Sequence, residues 1–209
     1  MTGASRLDLW RRWFLWVTIA EFTGFFAPAV VGAVSAGWPT VMMVTALLAA
    51  GAVEGAALGW AQAHVLGDAV AGLQRRPFVL ATVAGAVVAY AIGLIPALFG
   101  PGLAQWPTPL VIISGAAAGT ALLTTIGTAQ WLVLRKVVPR SASWIVTTAG
   151  AWAAGLLGFT AVATPLWKPG QPILVVVAIG TLGGLTMAAT VAAITGVAAV
   201  RLVTHRTRA

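Results

Sequence analysis

The sequence predicts an all-α integral membrane protein with six transmembrane helices in a single domain, residues 1–209. Hydrophobic residues make up 60% of the chain and charged residues only 8%, whereas soluble domains carry about 25% charged residues. Apolar runs of about 20 residues, each long enough to cross a bilayer, recur along the whole length. None of them alternates with the period of a β-barrel strand, so the predicted spans are helices.

The six predicted spans follow one another through short connections. Their approximate bounds are 13–35, 41–65, 78–99, 110–134, 144–163 and 173–203. The first run follows Arg6, Arg11 and Arg12, as in a signal peptide, but it is longer than the apolar core of such a peptide. An internal repeat also requires this run, and we therefore interpret it as the first helix.

Basic residues collect at one end of the predicted spans. The eleven on that side are Arg6, Arg11, Arg12, Arg75, Arg76, Arg135, Lys136, Arg140, Arg201, Arg206 and Arg208. Only Lys168 falls on the other side. Because Lys and Arg accumulate in cytoplasmic loops, we predict a plasma (inner) membrane protein with both termini in the cytoplasm. We expect Arg201, Arg206 and Arg208 to contact anionic headgroups of the bilayer on that side.

Three related hairpins fill the chain. The segments GWAQAHVL (59–66) and GTAQWLVL (127–134) match in the second and fourth spans, and the sixth span has Thr195 in place of the glutamine. The odd-numbered spans also match one another, through the segments WVTIAE (16–21), LATVAG (80–85) and IVTTAG (145–150). The repeats have approximate bounds of 10–72, 73–138 and 139–204. Each hairpin enters from the same side, which predicts a pseudo-threefold bundle about an axis along the membrane normal.

The even-numbered spans also carry stripes of small residues. These are Gly51, Gly55 and Gly59, then Gly115, Gly119 and Gly127, and finally Gly180, Gly184 and Ala188. Such stripes allow helix backbones to approach closely. Gln62 lies on the same helical face as Gly55, and Gln130 repeats that placement. We expect Gln62, Gln130 and Thr195 to form interhelical contacts, with hydrogen bonds of about 0.6–2 kcal/mol each.

One motif carries a family resemblance. GTAQWLVLR at 127–135 forms the pattern G-x-x-Q-W-x-V-L-R. With EFTGFFAPAVVGA at 21–33 and ATPLWKPGQP at 163–172, the chain resembles a group of uncharacterised bacterial multi-pass membrane proteins that carry this motif two or three times. The resemblance covers nearly the whole chain, although Ala63 and His64 replace the Trp-Leu pair in the first copy. No activity is established for that group, so the resemblance implies architecture and no catalytic residues.

Two glutamates interrupt the apolar spans of the first hairpin. Glu21 and Glu54 lie at similar predicted depths, and an ionised carboxyl there costs at least about 2.5–3.5 kcal/mol. No Lys or Arg lies at that depth in any span to offset that cost, so we expect at least one of the two to be neutral. Groups of this kind suit proton exchange or cation coordination. Neither glutamate recurs in the repeats, which favours one off-axis site; a purely structural role in hydrogen bonding remains the alternative.

Other chemistry is sparse. His64, near Asp68, is a candidate proton relay. The alternative is that it lies at the membrane interface and has no specific role. The chain contains no phosphate-binding glycine loop, no H-E-x-x-H, no G-x-S-x-G and no cysteine. We therefore predict no enzymatic activity, no cofactor and no metal. The net charge of +8 does not indicate a nucleic-acid partner, because the basic residues are distributed between apolar runs.

Three functions fit this pattern. The leading hypothesis is a small proton- or cation-linked transporter using Glu21 and Glu54, with polar support from Gln62. A non-transporting scaffold or accessory subunit, bound to a membrane-protein partner or to further copies of itself, is the alternative. A substrate-capture subunit is the third. A water-accessible cavity at Glu54 would favour transport, and a solid interior would favour the scaffold.

Overall fold

The computed structural model describes residues 3–206, with side chains from residue 3 to residue 204. Its described part contains seven α-helices and no strand. Their bounds are α1 Gly3–Val34, α2 Thr40–Ala69, α3 Arg75–Gly93, α4 Ile95–Leu103, α5 Thr108–Leu134, α6 Ser143–Leu166 and α7 Ile173–Arg206. The headgroup contacts predicted for Arg206 and Arg208 involve side chains outside the described residues.

Six helical segments are long and apolar enough to cross a membrane, with α3 and α4 together forming the third, Arg75–Leu103. The prediction of an all-helical multi-pass membrane protein is confirmed at this level. The third segment is interrupted at Leu94, between α3 and α4. Pro96 has no backbone N–H to donate to the Ile92 carbonyl, which accounts for the break in regular hydrogen bonding. Pro28 and Pro165, by contrast, remain inside α1 and α6.

The six segments form a closed ring. Each packs against its neighbours in the chain: α1 on α2, α2 on α3, α3 on α5, α5 on α6 and α6 on α7. Helix α7 also packs extensively against α1, which closes the ring. The inner faces of all six segments therefore surround one common interior.

The main hydrophobic core lies at the end of the ring that holds both termini. Trp13, Leu66, Phe78, Leu134 and other side chains from α1, α2, α3, α5, α6 and α7 are buried together there. Two ion pairs join helix ends beside this core: Asp68 of α2 contacts Arg12 of α1 at 2.8 Å and Arg75 of α3 at 2.6 Å. Both pairs are exposed to solvent, which screens them, so they contribute little to the stability of the fold.

Two tryptophans at the first positions of predicted spans, Trp13 and Trp144, belong to this core. Trp13 and Trp144 are fully buried, and their rings meet edge to face with centroids 5.8 Å apart. Each indole N–H has a hydrogen-bond acceptor inside the bundle, which removes the usual reason for a tryptophan to stay at the wet interface. Trp60 and Trp167, in contrast, are exposed on the surface.

The glycine stripes are confirmed only in part. Gly51, Gly55 and Gly59 of α2 face Tyr90, Ala86 and Thr82 of α3, and Gly127 faces Ile145 of α6. The prediction is wrong for the remaining positions that have open space around them, namely Gly115, Gly119 and Gly180. A larger side chain at any of these three positions would therefore meet no neighbouring helix.

Candidate functional site

A cavity of about 390 Å³ lies inside the ring, and side chains from all six segments line it. Its wall is almost entirely apolar and includes the rings of Phe25, Tyr90 and Trp152. Glu54 is the only charged residue in the lining. The volume falls within the range of small-molecule sites, which are mainly apolar concavities with a few polar groups.

A packed layer closes the cavity toward the termini. In α2 the cavity lining ends at Leu58, and the residues of the packed core continue from there to Val70. In α6, likewise, Trp152 lines the cavity and Trp144 belongs to the core. Toward the opposite end, three fully described stretches contain no buried residue: 40–49, 108–125 and 156–172. The tightly packed part of these helices therefore lies on the terminal side of the cavity.

Glu54 reaches the cavity from the middle of α2. Gly24 makes room for it, because a Cβ at that position of α1 would lie 3.3 Å from the Glu54 Cα. On the other side, the Tyr90 hydroxyl donates a hydrogen bond of 2.5 Å to Glu54 Oε2. The residue is only 6% exposed. The Glu54 backbone therefore packs closely against α1, and its carboxyl is held by Tyr90 of α3 at the cavity wall.

Glu21 lies behind Glu54 and is completely buried. Neither of its carboxyl oxygens makes a hydrogen bond of good geometry with any described group, yet the Glu54 carboxyl is close enough to interact with it. The structure thus brings together the two glutamates of the first hairpin. Both ion pairs in the described part of the chain involve Asp68 and neither glutamate.

The charge of this pair follows from its surroundings. Two carboxylates in contact inside an apolar protein repel one another strongly, so the pair retains at least one proton. A single negative charge at Glu54 is acceptable because Tyr90 donates a hydrogen bond to it. The described residues contain no group of three or more His, Cys, Asp or Glu side chains arranged to hold a metal ion.

Gln62 lies in the packed layer, about 12 Å along α2 from Glu54. Its Oε1 accepts a 2.6 Å hydrogen bond from Gln130 Nε2, which also donates to Thr82 Oγ1 at 2.9 Å. Trp144 Nε1 donates to Gln130 Oε1 at 2.8 Å. This network joins α2, α3, α5 and α6 beneath the cavity.

Thr195 occupies a comparable place between α7 and α1. It accepts a 3.0 Å hydrogen bond from Trp13 Nε1 and donates to the Val191 carbonyl at 2.6 Å. Trp13 and Trp144 thus each donate to a polar side chain of an even-numbered span, Thr195 in one case and Gln130 in the other.

His64 does not lie at the glutamate pair. Its ring packs edge-on to Trp16, with centroids 5.1 Å apart, and stacks on the exposed Trp60 at 5.6 Å. The site thus brings together Glu21 and Glu54, while Gln62, Gln130, Thr195 and His64 lie closer to the termini.

Sequence reasoning missed Tyr90 as a site residue. It is the only tyrosine in the chain and lies within an apolar span, and a buried tyrosine hydroxyl usually finds a partner. A lone tyrosine inside an apolar span was therefore the feature of the sequence that could have identified Tyr90 as a site residue. The aromatic rings of Phe25 and Trp152 carried no such signal, because apolar side chains are abundant in every span.

Comparison with known proteins adds no relative. No protein-family model matches the chain, and neither a curated protein nor a solved structure matches it. The resemblance to bacterial proteins with repeated G-x-x-Q-W-x-V-L-R motifs therefore remains a prediction from the motif. Function must be inferred from the cavity and its residues.

Proposed function

We propose that the protein is a small membrane permease that exchanges protons for an apolar compound carrying a positive charge. The observation that carries this proposal is the position of Glu54, the only charged residue in the wall of a central apolar cavity. A solid bundle would provide no room for a ligand beside this carboxyl.

The substrate class follows from the wall of the cavity. A polar or anionic solute would lose its hydration there without gaining enough hydrogen bonds, which disfavours its entry. An apolar cation loses little hydration and gains attraction from the Glu54 carboxylate. The rings of Phe25, Tyr90 and Trp152 add dispersion and cation–π attraction.

Proton exchange follows from the glutamate pair. A bound cation favours the state in which Glu54 is ionised, whereas protonation of Glu54 removes that attraction and releases the cation. Glu21, completely buried behind Glu54, is the positioning residue that determines how readily the pair gives up a proton. Substrate and proton therefore compete for one carboxyl, which is the simplest basis for coupling their movements.

Orientation and repeat symmetry form part of the same proposal. The eleven-to-one distribution of basic residues supports cytoplasmic termini in the plasma membrane, so that the cavity opens outward. Glu54 aligns with Leu122 and Met187 in the repeats, and all three line the cavity. These positions support a pseudo-threefold bundle in which only the first hairpin carries the acidic group.

The test is uptake into proteoliposomes of tetraphenylphosphonium, an apolar cation, in response to a proton gradient. We expect Glu54→Gln to lower the initial rate at least about tenfold, because losing a charge-assisted contact costs about 1.5–3 kcal/mol. Asp8→Asn is the matched control, since Asp8 is an exposed carboxyl on α1, and should leave uptake unchanged. Equal uptake by Glu54→Gln and the unaltered protein would exclude the proposal.

An accessory subunit of a larger membrane complex is the second candidate. The observation that favours it is α5, whose residues 108–125 include no buried position and where a Cβ added at Gly115 or Gly119 would meet no described atom of another helix. Co-purification of a stoichiometric membrane partner that covers this segment would support that function. The cavity at Glu54 favours the permease.

A further inference from the structure

A second cavity, of about 660 Å³, lies at the end of the ring that holds the termini. It is formed by the turn between α5 and α6, the first turns of α6 and the last turns of α7. Its lining differs in character from that of the central cavity, because it contains two arginines and three hydroxyl side chains. These five residues are Arg140, Ser141, Ser143, Thr147 and Arg201.

The cavity is electropositive. Arg140 and Arg201 are exposed, and neither pairs with a carboxylate in the described part of the chain. No acidic residue lines the cavity, and none occurs in the first turn of α6. Two unneutralised guanidinium groups at one concavity attract anions, and their planar donor geometry suits phosphate oxygens in particular.

A buried hydroxyl points to a ligand independently of the arginines. Ser141 is only 3% exposed, and its Oγ has no hydrogen-bond partner in the described structure. A buried donor that has lost its water and gained no protein acceptor is unfavourable. Because Ser141 lines the cavity, an anion seated there would supply the missing acceptor.

The backbone around Ser141 fits the same interpretation. Arg140 adopts a φ of 58°, the only positive φ among the described non-glycine residues, and such strain persists only where the surroundings impose it. Helix α6 begins at Ser143 with no side-chain cap on its first turn. The Trp144 and Ile145 N–H groups of this turn donate to the Ser141 and Ala142 carbonyls, so the helix contributes through the partial positive charge of its N-terminus, which adds to the attraction for an anion.

We propose that this cavity binds the phosphate group of a phosphate monoester, with Arg140 and Arg201 holding its charge and Ser141 donating a hydrogen bond. Both an anionic lipid headgroup and a soluble phosphorylated compound have this chemistry. The site is distinct from the central cavity, and it does not depend on transport.

The experiment measures thermal unfolding of the full chain in a neutral detergent. Dihexanoyl phosphatidic acid, dihexanoyl phosphatidylcholine and inorganic phosphate are titrated separately, with chloride at matched ionic strength. We expect phosphatidic acid to raise the unfolding midpoint. In Arg201→Gln the concentration needed for half of that rise should increase at least about tenfold, the value of a hydrogen bond to a charged group. Arg140→Gly, which relieves the positive φ, should act in the same direction.

Two further variants make the result specific. Ser141→Ala removes an unpartnered Oγ and breaks no hydrogen bond within the described protein, so it should fold normally and weaken binding roughly three- to tenfold. Arg76→Gln is the matched control, because Arg76 is an exposed, basic residue without an ion pair at the same end of the ring. It should bind as the unaltered protein does.

The outcomes separate the possible sources of the phosphate. A variant-sensitive response to both phosphatidic acid and inorganic phosphate supports a site for free phosphate groups. A response to phosphatidic acid alone supports a lipid headgroup. An equal response to phosphatidylcholine, an equal loss in Arg76→Gln, or no stabilisation beyond that by chloride would overturn the proposal.

Discussion

The complete burial of the Glu21 carboxyl is the feature of this structure that a purely structural role explains least. Glu21 is fully buried, and neither of its carboxyl oxygens makes a hydrogen bond of good geometry, although the Glu54 carboxyl is close enough to interact with it. Buried polar groups in proteins are nearly always paired, and a buried carboxyl with incomplete hydrogen bonding destabilises a fold by about 1–3 kcal/mol. In the proposed function, the position of Glu21 beside Glu54 accounts for this destabilisation, since one carboxyl would modulate the proton affinity of the other.

Glu21→Met tests this interpretation directly. Methionine has a similar volume and no polar atom that needs a partner, so we expect the free energy of unfolding to rise by about 1–3 kcal/mol. Proton-driven uptake of tetraphenylphosphonium should fall at the same time. Thermal unfolding in detergent and proteoliposome uptake provide the two measurements. A less stable but fully active variant would show that Glu21 serves the fold.

Among the helices, glycine determines which pairs come into backbone contact. A Cβ on Gly85 of α3 would lie 2.8 Å from the Ile126 Cα of α5. Backbone atoms cannot rotate away as a side chain can, so α3 and α5 must separate to accept a larger residue. A Cβ added to Gly119, by contrast, would have no described atom of another element within 4 Å. The same residue type therefore permits close backbone contact at one position and has room for a methyl group at another.

Gly85→Ala and Gly119→Ala form a matched pair. We expect Gly85→Ala to lower the free energy of unfolding by about 1–3 kcal/mol through overpacking against backbone. Gly119→Ala should be neutral or stabilising by up to about 1 kcal/mol, because alanine favours the helix. Unfolding midpoints in one detergent measure both. Equal effects of the two substitutions would show that helix propensity, and not contact between helices, determines the change in the free energy of unfolding.

The whole molecule is a ring with a packed layer at the end that holds the termini. Hydrogen bonds among Gln62, Gln130, Thr82 and Trp144 join four helices in that layer. The cavity that reaches Glu54 lies on the other side of it. We therefore expect solvent and substrate to reach Glu54 from the side opposite the termini, and transport would require the packed layer to open.

Cysteine labelling measures this asymmetry, because the chain has no cysteine of its own. We expect Ala89→Cys, in the cavity wall, to react with a membrane-impermeant thiol reagent added on the side opposite the termini. Ala61→Cys, at a fully buried position in the packed half of α2, should react at least about tenfold more slowly from either side, since reactive cysteines require access to solvent. Similar labelling of the two positions would contradict a one-sided cavity.

The sequence alone predicted the six spans, because long apolar runs with few charges have no stable place outside a membrane. It also identified Glu21 and Glu54, since an ionisable residue stands out in such a run. It did not predict that Trp13 and Trp144 would be buried, that Gly115 would be free, or that Tyr90 would hold Glu54. These features depend on the direction in which each helix face points, and an apolar helix surrounded by lipid has too weak a polar–apolar pattern to reveal that direction.

Composition and apolar length thus determined that this chain is a bundle of membrane-spanning helices with acidic groups in its first hairpin. Packing among those helices decided the rest: that the two carboxyls meet, that a cavity reaches one of them, and that the opposite end is tightly closed. The physical reason is that hydropathy is a property of each residue along the chain. Contact, burial and hydrogen bonding between distant helices depend instead on how their surfaces fit together.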